Sequence, residues 1–148
     1  MDSMTLTAFV REVREASRDQ IAARRVGGAV CLHTGQTYID GDEVTVYVGH
    51  GRDGSLSMTD LGETMQRVSI FLVPQDAFSA IAKQIAAQFG FQLKDGELGC
   101  LCMPGEAGER ALGLARCAAT LEAALTAAAI VSIETSPIAC ARIMTVPS

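Results

Sequence analysis

An alternation of apolar and polar residues with a period of two runs through residues 29–59 and constrains the fold most. Over residues 44–48 every second position is Val, and the positions between are Thr and Tyr. Side chains alternate between the two faces of a strand, so this pattern predicts a half-buried β-strand. The same alternation occurs over residues 30–33 and 55–59, and glycine-rich turns separate the runs. We predict three strands in an antiparallel meander.

An amphipathic helix is predicted before the meander, from Asp2–Ser3 to about residues 17–23. Apolar residues recur there every three or four positions, as they do on one face of a helix. The opposite face carries Arg11, Arg14 and Arg18, which are candidates for binding a partner. Charged residues mostly lie on protein surfaces whatever the function, so a solvated helix face is the simpler interpretation.

Two further helices are predicted after the meander. Asp60 at an N-cap, with Glu63 three positions later, is a capping-box pattern that begins a helix ending by Pro74. Asp76 caps the second helix, which ends near Gly90. Its predicted apolar face consists of Phe78, Ile81, Ile85 and Phe89.

A short hairpin and a long Ala-rich helix complete the pattern. Asp95-Gly96 is a favoured two-residue turn between short apolar runs. The helix covers roughly residues 109–129, and a mostly apolar helix is usually the buried spine of a domain. Its alternative use is association with a second copy of the chain. Residues 134–148 form either an edge strand or a tail. The predicted apolar stripe of the helix consists of Leu114, Cys117, Ala118, Leu121 and Leu125.

Length and composition predict one α+β domain over residues 1–148: an antiparallel meander, helices, a hairpin and a long C-terminal helix. With 49% hydrophobic and 20% charged residues, the chain can bury a core without disulfides. An odd count of five cysteines and a charged N-terminal segment favour a reducing cytoplasm. Arg116 and Glu122 interrupt the longest apolar stretch, so no membrane span is predicted.

Negative charge is concentrated in one segment of the chain. The formal net charge is −5, and residues 40–63 carry six acidic residues against a single arginine. Phosphate-binding surfaces usually have the opposite sign, so nucleic acid is not expected as the main partner. A basic surface of another protein, including a groove that binds nucleic acid, is expected instead. The candidate partner-binding residues of this segment are Asp40, Asp42, Glu43, Asp60 and Glu63.

The same carboxylates define an alternative function. If Asp40, Asp42, Asp60 and Glu63 converged, they could hold a divalent cation in a metal-dependent enzyme or accessory subunit that processes nucleic acid. Residues 26–82 contain no Lys, which a nuclease of this kind would normally place nearby. Turn and cap chemistry also explains each carboxylate locally. We therefore predict no catalytic residues and no cofactor.

Cysteine and histidine side chains form a second, weaker candidate for a metal-binding site. Cys31 and His33 lie two positions apart on one predicted strand, and Cys100 and Cys102 do so on another. If those strands were adjacent, the four side chains could bind zinc. Cysteine more often behaves as a small buried apolar residue, so the thiols are predicted to be structural.

Three sequence elements of the meander carry a resemblance. They are Asp42-Glu-Val-Thr-Val-Tyr47, the turn Asp53-Gly54, and Thr59-Asp-Leu-Gly-Glu-Thr64. In this order they resemble the bacterial and phage family called domain of unknown function 1828, over roughly residues 28–125. Gly35 stands where the family pattern has a proline.

The resemblance implies a biological setting rather than a reaction. Such proteins recur in phages, prophages and mobile elements, where small domains often act by binding host or rival proteins. We therefore expect a non-enzymatic protein-interaction module in the bacterial cytoplasm. Its sharpest form is a phage- or mobile-element-encoded inhibitor of a host defence complex such as CRISPR. A homodimeric scaffold assembled through residues 109–129 is the further alternative.

Overall fold

Antiparallel strands and three helices make up the part of the chain that the computed structural model describes, residues 22–69 and 75–135. The strands are β1 (Ala22–Val26), β2 (Ala29–Thr37), β3 (Glu43–His50), β4 (Leu56–Thr59), β5 (Gln92–Lys94) and β6 (Glu97–Cys102). The helices are α1 (Glu63–Val68), α2 (Gln75–Gln88) and α3 (Ala107–Thr135), and a 3-10 turn at Pro104–Glu106 precedes α3. All six strands form one sheet, in the order β1-β2-β3-β4-β6-β5. The predicted α+β class is confirmed.

The meander has one strand more than predicted. β2, β3 and β4 pair antiparallel in sequence order, as expected. β1 pairs with β2 across a turn at Gly27, whose φ of 60° is left-handed. The predicted N-terminal helix was therefore wrong for Ala22 and Ala23, because pairing with β2 provides their backbone with hydrogen-bond partners. The rest of that helix, including Arg11, Arg14 and Arg18, lies outside the described residues.

The hairpin is confirmed, and it also enlarges the sheet. Asp95 and Gly96 have φ values of 53° and 77°, as a two-residue turn of type I′ requires. β6 also pairs antiparallel with β4, placing Leu56 opposite Cys102. The sequence does not predict this second pairing, since no local pattern encodes contact between strands about 40 residues apart.

α3 is the buried spine of the fold, as predicted. Its side chains pack on the face of the sheet that carries Val30, Val46 and Leu98, all fully buried. The first half of the apolar stripe packs on the sheet, and the second half packs against α1 and α2. The stripe is therefore not free to join two copies of the chain. α3 continues through Thr135, and residues 136–148 lie outside the described part. The stripe residues with no solvent exposure are Leu114, Cys117, Ala118, Leu121 and Leu125.

By length and composition alone, one helix in the described ranges could cross a membrane. It is the segment Pro104–Val131, and 44% of its most apolar window is buried inside the protein. A core helix of a soluble protein meets the same criteria, so the finding is weak evidence for a membrane span.

The buried face of α2 differs from the predicted one. Phe78 is buried as expected, but Ala82 and Ala86 follow it toward the core, while Ile81 and Phe89 are each 37% exposed. The alanines follow Phe78 at intervals of four residues, and their small side chains allow α2 to approach its neighbours closely. Ile85 is partly buried against the core, as predicted. The prediction was wrong for Ile81 and Phe89, because it weighted large apolar side chains over small ones. Asp76, the predicted cap, lies inside the helix, which the structure describes from Gln75 onward.

Candidate functional site

Carboxylates from two separate segments converge on one guanidinium. Arg67 of α1 donates to Asp40 Oδ2 at 2.7 Å and to Asp42 Oδ2 at 2.9 Å, both in the turn between β2 and β3. It also donates to Glu63 Oε1, one helical turn earlier, at 3.0 Å. We call these four residues the Arg67 cluster. It shows that acidic residues far apart in the sequence do gather in space.

An aromatic ring supports the guanidinium from beneath. The Arg67 Cζ atom lies 4.0 Å from the centroid of the Tyr38 ring. Tyr38 is buried, and its hydroxyl shares a 2.9 Å hydrogen bond with Thr64 Oγ1. The Arg67 side chain is only 18% exposed, whereas those of Asp40 and Asp42 are 54% and 68% exposed. The cluster therefore presents its carboxylates to solvent and keeps its positive charge below them.

Electrostatics favour the charged forms of Arg67 and Asp40. Burial alone would lower the pKa of Arg67, but hydrogen bonds to Asp42, Asp40 and Glu63 raise it above the ordinary value. The pKa of Asp40 is lowered, first by a hydrogen bond from the Asp42 backbone and then by Arg67. Three formal negative charges thus face one positive charge, and the surface has an excess of two negative charges.

The phenol of Tyr38 provides a prediction about pH. Burial raises the pKa of Tyr38 from 10.0 to about 12, so its neutral form is favoured in the folded protein. Stability from this group is complete below pH 10.0, the unfolded value, and is lost as pH rises through about 12. We expect the free energy of unfolding to fall across this interval, and less steeply in Tyr38→Phe.

Near-ultraviolet phenolate absorbance measures this titration directly. The chain has two tyrosines and no tryptophan, so Tyr47→Phe leaves Tyr38 as the only signal. That variant should form phenolate near pH 12, while the unfolded protein should do so near 10.0. Phenolate formation near the unfolded value in the folded variant would show that the ring is open to water.

Asp60 is a buried carboxylate that joins the sheet to α1. It is 1% exposed, and its Oδ1 accepts the N–H groups of Gly62 at 2.8 Å and Leu98 at 3.0 Å. Its Oδ2 accepts the N–H of Thr64 at 3.3 Å. The predicted capping box was wrong, because the N-cap of α1 is Gly62 rather than Asp60, and Glu63 turns to Arg67.

A second buried carboxylate holds the turn between β2 and β3. Glu122 of α3 is 6% exposed, and its Oε1 accepts the N–H of Ile39 at 2.7 Å. Within the turn, the Tyr38 N–H donates to the Asp42 carbonyl at 2.8 Å, and the Asp42 N–H donates to Asp40 Oδ1 at 3.0 Å. The backbone beneath the two exposed aspartates is thus fixed from inside the turn and from α3.

Large apolar side chains flank the cluster in both segments. Ile39 precedes Asp40 and is 63% exposed, while Leu61 lies two residues before Glu63 and is 59% exposed. Leu61 has a φ of 56°, a left-handed conformation that is uncommon for a bulky residue. Its backbone N–H donates to Thr59 Oγ1 at 2.9 Å. Both carboxylate-bearing segments therefore also expose an apolar side chain.

The remaining predicted partner-binding residues are placed differently. Glu43 does not contact Arg67; its carboxylate lies 3.4 Å from His33 Nδ1 and accepts the N–H of Gly35 at 3.1 Å. Asp60 is inaccessible to a partner because it is buried and bound to three backbone N–H groups. We therefore correct the candidate set by assigning Asp60 a structural role.

Within the described residues, neither the proposed zinc ligands nor the proposed carboxylate ligands come together around one point. Cys100 lies opposite Met58 on the core face of the sheet, whereas Cys31 lies opposite Tyr47 on the other face. β3 and β4 also separate the two cysteine-bearing strands. Among the carboxylates, Arg67 already pairs with three of the four proposed ligands. No group of three or more His, Cys, Asp or Glu side chains suits a metal ion within the described part.

Comparison with known proteins identifies a family. Residues 34–119 match the family described as Domain of unknown function DUF1828. The chain belongs to this family. The resemblance predicted from the meander is thus confirmed, and the matched part of this DUF1828 protein contains the whole Arg67 cluster. No curated protein and no solved structure matches the chain.

Proposed function

We propose that this DUF1828 protein is a non-enzymatic protein-interaction module that binds a basic surface of a partner protein. The observation that carries this proposal is the Arg67 cluster, with exposed carboxylates beside exposed apolar side chains. We call this region the interaction surface; it consists of Ile39, Asp40, Asp42, Leu61 and Glu63. Apolar side chains within a polar rim are typical of surfaces that bind other proteins.

Rigidity of the interaction surface supports the proposal. Arg67 links its two segments directly, and Glu122 holds the Ile39 backbone from the interior. A surface that is already ordered loses little conformational entropy on binding, so more of the contact energy appears as affinity. The buried Asp60 contributes in the same way by fixing the backbone before Glu63.

The sign of the charge selects the partner. Two uncompensated negative charges on this surface, in a chain of net charge −5, attract a basic surface and repel phosphate. In the sharpest form of the proposal the partner is a host defence complex such as a CRISPR effector, in the cytoplasm of the bacterial host. There the acidic surface would compete with nucleic acid for a basic groove.

Affinity capture tests the proposal first. Tagged protein is incubated with host lysate, and retained proteins are identified by mass spectrometry and then purified for binding measurements. We expect a stoichiometric partner whose affinity falls with rising salt concentration, because exposed charges are screened. Affinity for a purified partner that is independent of salt would contradict the electrostatic part of the proposal.

Matched variants then locate the interface. Ile39→Ser removes an exposed apolar contact and should weaken binding about tenfold, as a central interface residue does. Met103→Ser is the control, since that side chain is 53% exposed but lies elsewhere in the chain. Asp40→Asn with Asp42→Asn should weaken binding further and flatten the salt dependence. Unchanged affinity in all of these variants would exclude this surface as the interface.

A further inference from the structure

Two thiols lie on the same face of β6. Cys100 and Cys102 are two residues apart on one strand, so their side chains point the same way. Cys102 is 7% exposed and belongs to the core, whereas Cys100 is partly exposed at its edge. Cys100 is thus the more exposed of the two thiols.

A fixed cation lies beside the more exposed thiol. Arg110 of α3 donates from one terminal nitrogen to the Gly90 carbonyl at 2.7 Å, and its Cζ atom lies 4.4 Å from the centroid of the Phe91 ring. These contacts hold the guanidinium where it interacts with Cys100. A hydrogen bond from Cys102 lowers the pKa of Cys100, burial opposes this effect, and Arg110 reinforces it. The same hydrogen bond raises the pKa of Cys102.

We propose that Cys100 and Cys102 form an oxidant-responsive dithiol, in which Cys100 reacts with a small peroxide and Cys102 resolves the product as a disulfide. Thiolate character and exposure both determine which cysteine reacts first, and Cys100 combines them. The inference is independent of the proposed binding function, because neither thiol belongs to the interaction surface.

The reaction balances in two steps with hydrogen peroxide as the oxidant. The Cys100 thiolate attacks one peroxide oxygen, an S–O bond forms, the O–O bond breaks, and the leaving hydroxide takes up a proton to become water. The Cys102 sulfur, losing its proton, then attacks Cys100; the S–S bond forms, the S–O bond breaks, and a second water leaves. The two thiols lose two electrons, which the peroxide gains.

Strand geometry makes the product reversible. Residues two apart on a strand have Cα atoms about 6.6 Å apart, near the upper limit for a disulfide. A bridge must therefore shorten β6 locally, and it does so where Cys100 pairs with Met58 and Cys102 with Leu56. Strained disulfides are readily reduced, so the pair is suited to reversible oxidation.

Mass spectrometry of the full-length chain tests the proposal. Cys140→Ser is used as the background, so the four thiols of the described part remain. After hydrogen peroxide treatment at neutral pH, the peptide holding both cysteines should lose two hydrogens, while Cys31 and Cys117 stay reduced. In Cys102→Ser, dimedone should trap a sulfenic acid on Cys100. Oxidation of Cys117 at an equal rate, or absence of the disulfide in the folded protein, would overturn the proposal.

Alkylation kinetics separate a reactive thiol from a merely accessible one. At neutral pH we expect iodoacetamide to modify Cys100 at least about tenfold faster than Cys117, which is fully buried. Arg110→Met keeps an unbranched side chain on Phe91 but removes the cation, and it should slow Cys100 severalfold with the protein still folded. An unchanged rate in that variant would remove Arg110 from the proposal, and equal rates at Cys100 and Cys117 would overturn it.

Discussion

Replacing Asp60 by Ala should lower the free energy of unfolding by about 4 kcal/mol. The substitution removes the acceptor of three backbone N–H groups, those of Gly62, Thr64 and Leu98. Each buried donor left without a partner costs about 1–3 kcal/mol, and water can satisfy part of the set. The effect is large because the same carboxylate serves both the start of α1 and the start of β6.

Urea unfolding followed by circular dichroism measures this loss. Asp60→Asn is the informative companion, because it keeps one acceptor oxygen but places an amide NH2 against the remaining donors. It should cost less than Asp60→Ala and more than Glu109→Ala, a control at an exposed position in the first turn of α3. If Asp60→Ala cost as little as Glu109→Ala, the hydrogen bonds to the carboxylate would not form in solution.

Replacing Arg67 by Ala should lower the free energy of unfolding by about 2 kcal/mol. Each ion pair with an exposed carboxylate contributes only about 0.2–1 kcal/mol because solvent screens it. The contact with the Tyr38 ring adds about 0.5–1 kcal/mol. Removing the guanidinium also leaves Asp40, Asp42 and Glu63 facing one another without a cation.

Unfolding of Arg67→Lys, and of Arg67→Ala at several salt concentrations, separates the ion pairs from the contact with the Tyr38 ring. Lysine retains the charge but cannot reach several carboxylates with a planar fork, so this variant should recover about half of the loss. The loss in Arg67→Ala should shrink as salt concentration rises, since the ion pairs of the native protein are screened. A loss that does not depend on salt would assign the stabilisation to the ring contact.

Local periodicity predicted the strands that alternate clearly and failed where pairing is decided at long range. Residues 44–48 predict β3 because one face of that strand is buried. β1 carries two adjacent arginines and has no such alternation, so its structure follows from β2 beside it. The pairing of β6 with β4 likewise depends on how the hairpin docks, which sequence spacing does not encode.

The sequence predicted the acidic residues of the site, but not how they are arranged in space. The acidic segment was evident, yet Arg67 lies just beyond it and was missed. Its spacing from Glu63 is that of a helical ion pair, and this was an available signal. Asp60 is buried and accepts backbone N–H groups, whereas Asp40 and Asp42 are exposed. The sequence alone does not reveal this difference in role.

The hydrogen bond between Ile39 and Glu122 joins positions 83 residues apart and so imposes an order of assembly. A nascent chain that has emerged only through β6 can pair its strands, but its surface turn still lacks the carboxylate that holds it. The turn between β2 and β3 is therefore completed only after the middle of α3 has left the ribosome and docked. Chains truncated before residue 122 should display the acidic residues of this turn without their native geometry.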